Sequence, residues 1–393
     1  MKILFVINNL YIKGNGLDAS TRRVIQKLKE RGEDVRVLSG MNPDPNGPQP
    51  DYALKIFHFP FFQKLIVKNG FSFAIADKKI IKEAIEWADV VHIEEAFVLE
   101  IKATKIAKKM HKAITASYHL HPENIFAALY LTKSILFNHG MLWIWKKWVF
   151  NRCQIIHCPT YNVYERLKRH HFKAELRVFS NGLVREELIQ KTDENNSQKL
   201  SNAKYNVITI GRYAREKNLK TLFKAMKYSK YGQEIQLIVA GKGPKEKSLR
   251  RRAEKLYKKG IIKYKPLFGF YKLDDLQNMS STADLYVHCA YIEVEGLSCM
   301  EAIQIGLVPI IAKARYSATP QFAMNENSLY RRKDAKELAQ RIDYWLDNDE
   351  LRKKEAEKYV GIGKKYDIEY SINRLQEMFE DAYIENKKKY ENK

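Results

Sequence analysis

Seven residues separate Glu293 from Glu301 in the stretch YIEVEGLSCMEAIQIGLVP, where the two bracket a Gly296-Leu297-Ser298 turn. The apolar run ADLYVHCA before it reads as a buried strand, and 300–306 as the first turns of a helix. Strand, glycine turn and helix in that order place a ligand at the carboxyl ends of the strands of an α/β sheet. Unpaired amides at such a helix start favour an anion, and a carboxylate close by can grip vicinal hydroxyls. The same acids would also serve as plain turn and N-cap residues, since acids are common in first helical turns.

Two cations belong to a second βα loop. Gly211-Arg212 follows the β-branched run 206–210, and Lys217 comes five residues after Arg212. A guanidinium can hold a phosphate bidentately, and a lysine adds a mobile point charge. Gly243 follows the next strand and would let backbone approach a ligand closely. No GxxxxGK[ST] phosphate loop occurs, and Gly14-x-Gly16 falls short of a dinucleotide fingerprint. A solvated lysine-rich helix start with structural glycines is the competing explanation.

Seven of the ten histidines lie between His111 and His171. His119 and His121 are two apart, and Pro122 ends their strand, so both are expected to reach a cleft. The pair makes a poor metal site, because no third ligand is placed near it and two rarely suffice.

These residues need a frame. At 393 residues the chain exceeds what one hydrophobic core usually supports, so two domains are expected. Strands alternate with amphipathic helices from residue 2 to about 117, which reads as an open α/β sheet with right-handed crossovers. The alternation breaks over 125–152 and resumes with a strand at 154–158. Residues 187–204 are polar and unpatterned and read as the interdomain linker. A second alternation fills 205–365, with strands at 206–210, 235–240, near 262, 285–289 and 308–312. The last helix, 368–384, carries Ile372, Leu375, Met378, Phe379 and Ala382 at the spacing of one buried face, followed by a charged tail.

A formal charge of +23 makes the surface attractive to polyanions: nucleic acid, an anionic bilayer or phosphorylated small molecules. Nucleic acid is disfavoured, since no zinc-finger spacing or RNP-like strand occurs and the basic runs do not gather on one recognition helix. Four cysteines in apolar surroundings read as buried thiols of a reducing cytosol. The apolar start is too short to span a membrane.

The insert LYLTKSILFNHGMLWIWKKWVFNR (129–152) carries Trp143, Trp145 and Trp148 with Lys146, Lys147 and Arg152. Tryptophan prefers the headgroup layer and lysine is drawn to anionic lipid, so the segment suits an interfacial surface. A pair of core helices is the alternative.

Taken together, the Glu293-x7-Glu301 pair, GRYAREKNLKTLFKA, VAGKGP, SNGL and SYHLHPEN resemble the family 4 retaining glycosyltransferases, over nearly the whole chain. That resemblance implies a GT-B fold: two Rossmann-like α/β domains facing across a cleft, the C-terminal helix packing back on the first domain. It implies a UDP-sugar donor, transfer with retention of configuration, no metal and no other cofactor. On matching positions Arg212 and Lys217 would hold the diphosphate, Glu301 the ribose hydroxyls and Glu293 a hydroxyl of the sugar. Gly296, Leu297 and Ser298 would supply helix-start amides, with Gly243 alongside. Gly14 to Gly16 would close over the diphosphate, and His119 would donate to a sugar hydroxyl. Where the family often has EGFG this chain has Glu293-Val294-Glu295-Gly296, so Glu295 competes for the role of Glu293. SYHLHPEN with the aromatic insert and SATPQFA resembles bacterial members acting on diacylglycerol-type lipids or cell-surface glycans. A lipid or lipid-linked acceptor, an anionic membrane partner and a peripheral place on the cytoplasmic face of the plasma membrane are expected. A capsular or lipopolysaccharide-type glycan is the alternative acceptor, and a non-catalytic polyanion-binding protein the alternative outside enzymes.

Overall fold

The computed structural model describes residues 1–12, 16–61, 63–128, 131–132, 134–184, 202–271 and 273–391. The chain forms two compact units, Met1–Asn181 with Ile368–Lys393, and Gly182–Asp367. The expected linker at 187–204 falls largely outside the described residues.

In the first unit seven strands form one parallel sheet: β1 (Lys2–Val6), β2 (Asp34–Gly40), β3 (Tyr52–Leu54), β4 (Val90–Ile93), β5 (Ala113–Ser117), β6 (Ile155–Cys158) and β7 (Glu175–Val178). Their order is β3-β2-β1-β4-β5-β6-β7. The central strands are near-continuous apolar runs because helices cover both faces. The connection reverses direction between β1 and β4, which makes the crevice beyond their carboxyl ends the expected ligand position. The C-terminal helix Ile368–Glu391 belongs to this unit. Ile372, Leu375, Met378, Phe379 and Ala382 are all buried, as their spacing predicts, and Phe379 packs edge-on against Phe5 and His92. The predicted charged tail is instead the continuation of this helix to Glu391.

The second unit holds a six-stranded parallel sheet of β8 (Tyr205–Ile210), β9 (Ile235–Ala240), β10 (Leu267–Gly269), β11 (Leu285–His288), β13 (Val308–Lys313) and β15 (Leu329–Arg331). Its order is β10-β9-β8-β11-β13-β15, with direction reversing between β8 and β11. A separate parallel pair joins β12 (Ile292–Glu293) to β14 (Tyr316–Ser317). The strand predicted near 262 is absent: Ile262 is buried in a turn, and the chain extends only at β10.

Candidate functional site

The reversal between β8 and β11 brings the charged residues of the second unit together. Gly211 follows β8 directly, and the loop it opens carries Arg212 and Lys217. Arg212 donates from Nη2 to Oε1 of buried Glu216 at 2.7 Å. Lys217 pairs through Nζ with Glu293 Oε2. Glu293 is held in place by the β12–β14 pairing, and its carbonyl accepts from Ala318 N at 2.9 Å. Burial pushes the Glu293 carboxyl up, but the Lys217 charge and the neighbouring His288 outweigh it and hold the pKa down to about 2. Glu293 is therefore an anion at any working pH. Glu295 is buried, with its charge acting on Tyr366, so the carboxylate that meets Lys217 is Glu293.

The helix after β12 runs from Leu297 to Gln304, starting three residues earlier than the sequence predicts. Gly296 is its N-cap at φ 95°, and its carbonyl takes the amides of Cys299 and Met300 at 2.8 and 3.2 Å. The amides of Leu297 and Ser298 lie at the first turn, where no intrahelical partner exists. Glu301 sits one turn on and is half-buried. Gly296 has two separate reasons to be glycine: its left-handed backbone, and Thr319 Cγ2, into which a Cβ would run. Gly296→Ala is expected to lower both the melting temperature and donor binding, because it moves the helix start. An unchanged melt and unchanged binding would contradict this.

Gly243 makes a close backbone approach within the protein itself. At φ 156° its backbone passes so close to Tyr213 that a Cβ would lie 2.8 Å from that residue's backbone N and O. The close approach is made by Tyr213, which donates its N–H to Lys242 O and accepts from Lys245 N at 2.8 Å each.

In the first unit His119 Nε2 lies 2.7 Å from Glu94 Oε2 at the carboxyl end of β4. Both line a cleft with Thr21, Ser117, His157 and Asn181. His121 does not reach it: the side chain is fully buried, with Nδ1 3.4 Å from the Tyr118 hydroxyl. Turning the chain into the Pro122–Ala128 helix directs His121 into the core. Sequence reasoning missed Glu94 and two strand histidines. His92 is held by the Thr115 and Ser117 hydroxyls at 2.9 and 3.0 Å, and His157 by Ser117 and the Phe179 carbonyl at 3.0 and 2.7 Å. Burial drives His92 down to about 4 and His157 to about 3, so both are neutral at pH 7. Their one signal in sequence is a polar residue inside an otherwise apolar strand, VVHI and IIHC.

Gly14 lies outside the described residues, and Gly16 opens the Gly16–Glu30 helix. The insert forms the helix Ile135–Trp148, whose buried stripe is Asn138, Leu142 and Trp145. Trp145 is therefore not a surface contact: it is 2% exposed and packs edge-on against Phe97. Lys146 donates to the His170 carbonyl at 2.7 Å, and Arg152 to the Ile101 carbonyl and Thr104 hydroxyl at 2.9 and 3.0 Å. Both make these bonds to neutral groups of their own unit and are half-buried. Trp143 and Trp148 are 55% and 40% exposed, and Ile135 and Leu136 more so. The Lys147 ammonium lies over both exposed indoles, 4.7 and 5.5 Å from their centroids.

Among the described residues no group of three or more His, Cys, Asp or Glu is arranged to hold a metal ion. Among them, too, no helix is long and apolar enough to cross a membrane.

Comparison with known proteins gives a consistent picture. Residues 14–187 match the model of Glycosyltransferase Family 4, and residues 190–359 that of the glycosyl transferases group 1. Sulfoquinovosyl transferase SQD2 of Arabidopsis thaliana is 24% identical over 327 residues, 79% of this chain; the chain spans 59% of that protein's length. The catalytic domain of the cholesterol-alpha-glucosyltransferase of Helicobacter pylori is 40% identical, covering 41% of this chain and 99% of that one, with a TM-score of 0.37. Anabaena HepE, solved in complex with UDP and glucose, superposes with a TM-score of 0.72 at 15% identity, covering 97% of this chain and all of that one. Two Rossmann-like units of GT-B type are the shared fold.

Proposed function

The chain is related over both its halves to the GT-B-fold glycosyltransferases of group 1 and family 4, and from that premise we propose that it transfers a hexose, glucose or galactose, from a UDP-sugar to a membrane-lipid or lipid-linked acceptor, with retention of configuration and without a metal ion. The observation that carries this reading is the Lys217–Glu293 pair, set beside Arg212 and the Leu297–Gln304 helix start at the reversal point of the second sheet. Two cations and a helix start supply the positive field that a departing diphosphate needs. A carboxylate fixed as an anion next to them accepts from a sugar hydroxyl, and Glu301 takes the ribose hydroxyls. His119 donates to the sugar from the first unit, its ring oriented by Glu94.

The exposed face of the Ile135–Trp148 helix supports a lipid acceptor. Trp143, Trp148, Ile135 and Leu136 offer apolar area, and Lys147 offers charge toward an anionic headgroup layer. The enzyme would then work peripherally on the cytoplasmic face of the plasma membrane.

The test is a donor screen with UDP-, GDP- and ADP-hexoses, with and without extracted lipid. UDP-hexose consumption stimulated by lipid is expected, and consumption of GDP- or ADP-hexose alone would overturn the donor. The two glutamates are then separable by calorimetric titration with UDP. Glu301→Gln should weaken UDP itself. Glu293→Gln should leave UDP affinity nearly intact and damage transfer. Equal losses of UDP affinity would show that the roles are misassigned.

A further inference from the structure

Behind the Lys217–Glu293 pair a row of polar side chains runs into the core of the second unit. Tyr286 and His288 share one face of β11, two residues apart, and are 0% and 3% exposed. The Tyr286 hydroxyl lies 2.9 Å from His288 Nδ1 and 3.0 Å from Ser298 Oγ, in the first turn of the Leu297–Gln304 helix. His288 Nε2 finds no hydrogen-bond partner among the described residues and lies 3.6 Å from Glu293 Oε2, the oxygen that meets Lys217. A buried ring nitrogen left without a partner is costly, so its direction toward Glu293 calls for a reason.

The direction of each bond in the row follows from the carboxylate at its end. An ionised carboxylate offers only lone pairs, so the imidazole facing it is lower in energy with its hydrogen on Nε2. Burial also lowers the His288 pKa and keeps the ring neutral, with one hydrogen to place. Nδ1 is then an acceptor, and the single Tyr286 hydrogen must go to it. The Tyr286 oxygen in turn takes the hydrogen of Ser298.

We propose that His288 is the positioning residue for Glu293: the Ser298–Tyr286–His288 row fixes a hydrogen on Nε2, whose positive end, 3.6 Å from Oε2, favours that oxygen's place beside Lys217 and leaves Oε1 for the sugar. Ser298, its hydrogen committed to Tyr286, presents only lone pairs at the helix start. It therefore accepts from a hydroxyl of the donor and does not donate to a phosphate. The substrate side of this inference rests on the UDP-sugar reading above; the tautomer does not.

The test combines nitrogen-15 imidazole spectra with transfer kinetics on the full chain. Wild-type His288 should be neutral with its hydrogen on Nε2 at pH 7 to 8. Tyr286→Phe should mix the tautomers and lower kcat about tenfold, the scale of one charge-assisted hydrogen bond, while UDP affinity stays within about twofold. Ser298→Ala should do the same more weakly. His288→Gln, which can place an amide N–H near the position of Nε2, should recover most of the rate that His288→Leu loses. A wild-type hydrogen on Nδ1 would overturn the proposal, as would losses of rate that track melting temperature alone across the four variants. If the wild type bound no UDP, the glycosyltransferase reading would fall, and the spectra would still decide the tautomer.

Discussion

Lys217→Ala is expected to lower kcat/KM for hexose transfer by about 10²-fold or more, the scale of losing one preorganised donor to developing charge. Lys217 performs two tasks at once. It faces the place where the diphosphate gains charge on leaving, and it holds Glu293 ionised in a site where burial alone would push the carboxyl up. A carboxyl with a depressed folded-state pKa contributes stability that is present above its unfolded value, about 4.5, and is lost as pH falls toward about 2. Without Lys217 that contribution disappears, and burial instead makes the ionised form a liability above the unfolded value. The variant should thus melt lower at pH 7. Lys217→Ala combined with Glu293→Gln should regain the melting temperature and none of the transfer. Recovery of both would mean that the pair is structural. Arg212→Ala should show a loss of transfer of the same order, accompanied by destabilisation, because it strips buried Glu216 of its partner.

The three tryptophans of the insert should separate cleanly. Trp145→Ala should destabilise the first unit by about 3 to 5 kcal/mol, the usual cost of truncating a large buried aromatic. That is a fall of roughly 10 °C in melting temperature for a unit of this size. Trp143→Ala and Trp148→Ala should leave the melt unchanged and weaken binding to anionic vesicles even at low salt. Lys147→Ala should mainly flatten the salt dependence, at about 1 kcal/mol for one basic residue near an anionic surface. Vesicle co-sedimentation beside a thermal melt distinguishes these effects. Wild-type protein that ignored anionic vesicles at physiological salt would remove the lipid acceptor and leave a soluble or polymeric glycan as the better choice.

Periodicity was informative wherever burial covers both faces of a strand or one face of a helix. The strands β1, β4, β5 and β11 and the C-terminal helix stood out because their apolar residues have no alternative environment. The two-residue strands β12 and β14 were illegible, since two residues carry no period, yet their pairing fixes Glu293. The Gly296 cap was hidden for a similar reason: a residue after glycine can belong to a turn or to a first helical turn, and the choice depends on Thr319, 23 residues away. The identity of the charged residues was visible, but their pairing was not. Nothing in GRYAREK tells Arg212 to meet Glu216 and Lys217 to meet Glu293. In the insert, composition made all three tryptophans equivalent, and only the 138, 142, 145 stripe separates core from surface. His121 goes the other way because the chain turns into the Pro122–Ala128 helix directly after it, which sends it inward while His119 stays beside Glu94.

The most direct measurement is the anomeric configuration of the glycolipid formed from a UDP-α-hexose and extracted lipid in the presence of EDTA, read by proton NMR on fresh product. The account predicts an α-linked glycolipid, formed at an undiminished rate with chelator present. A β-linked product, or transfer that stops without divalent metal, would contradict it.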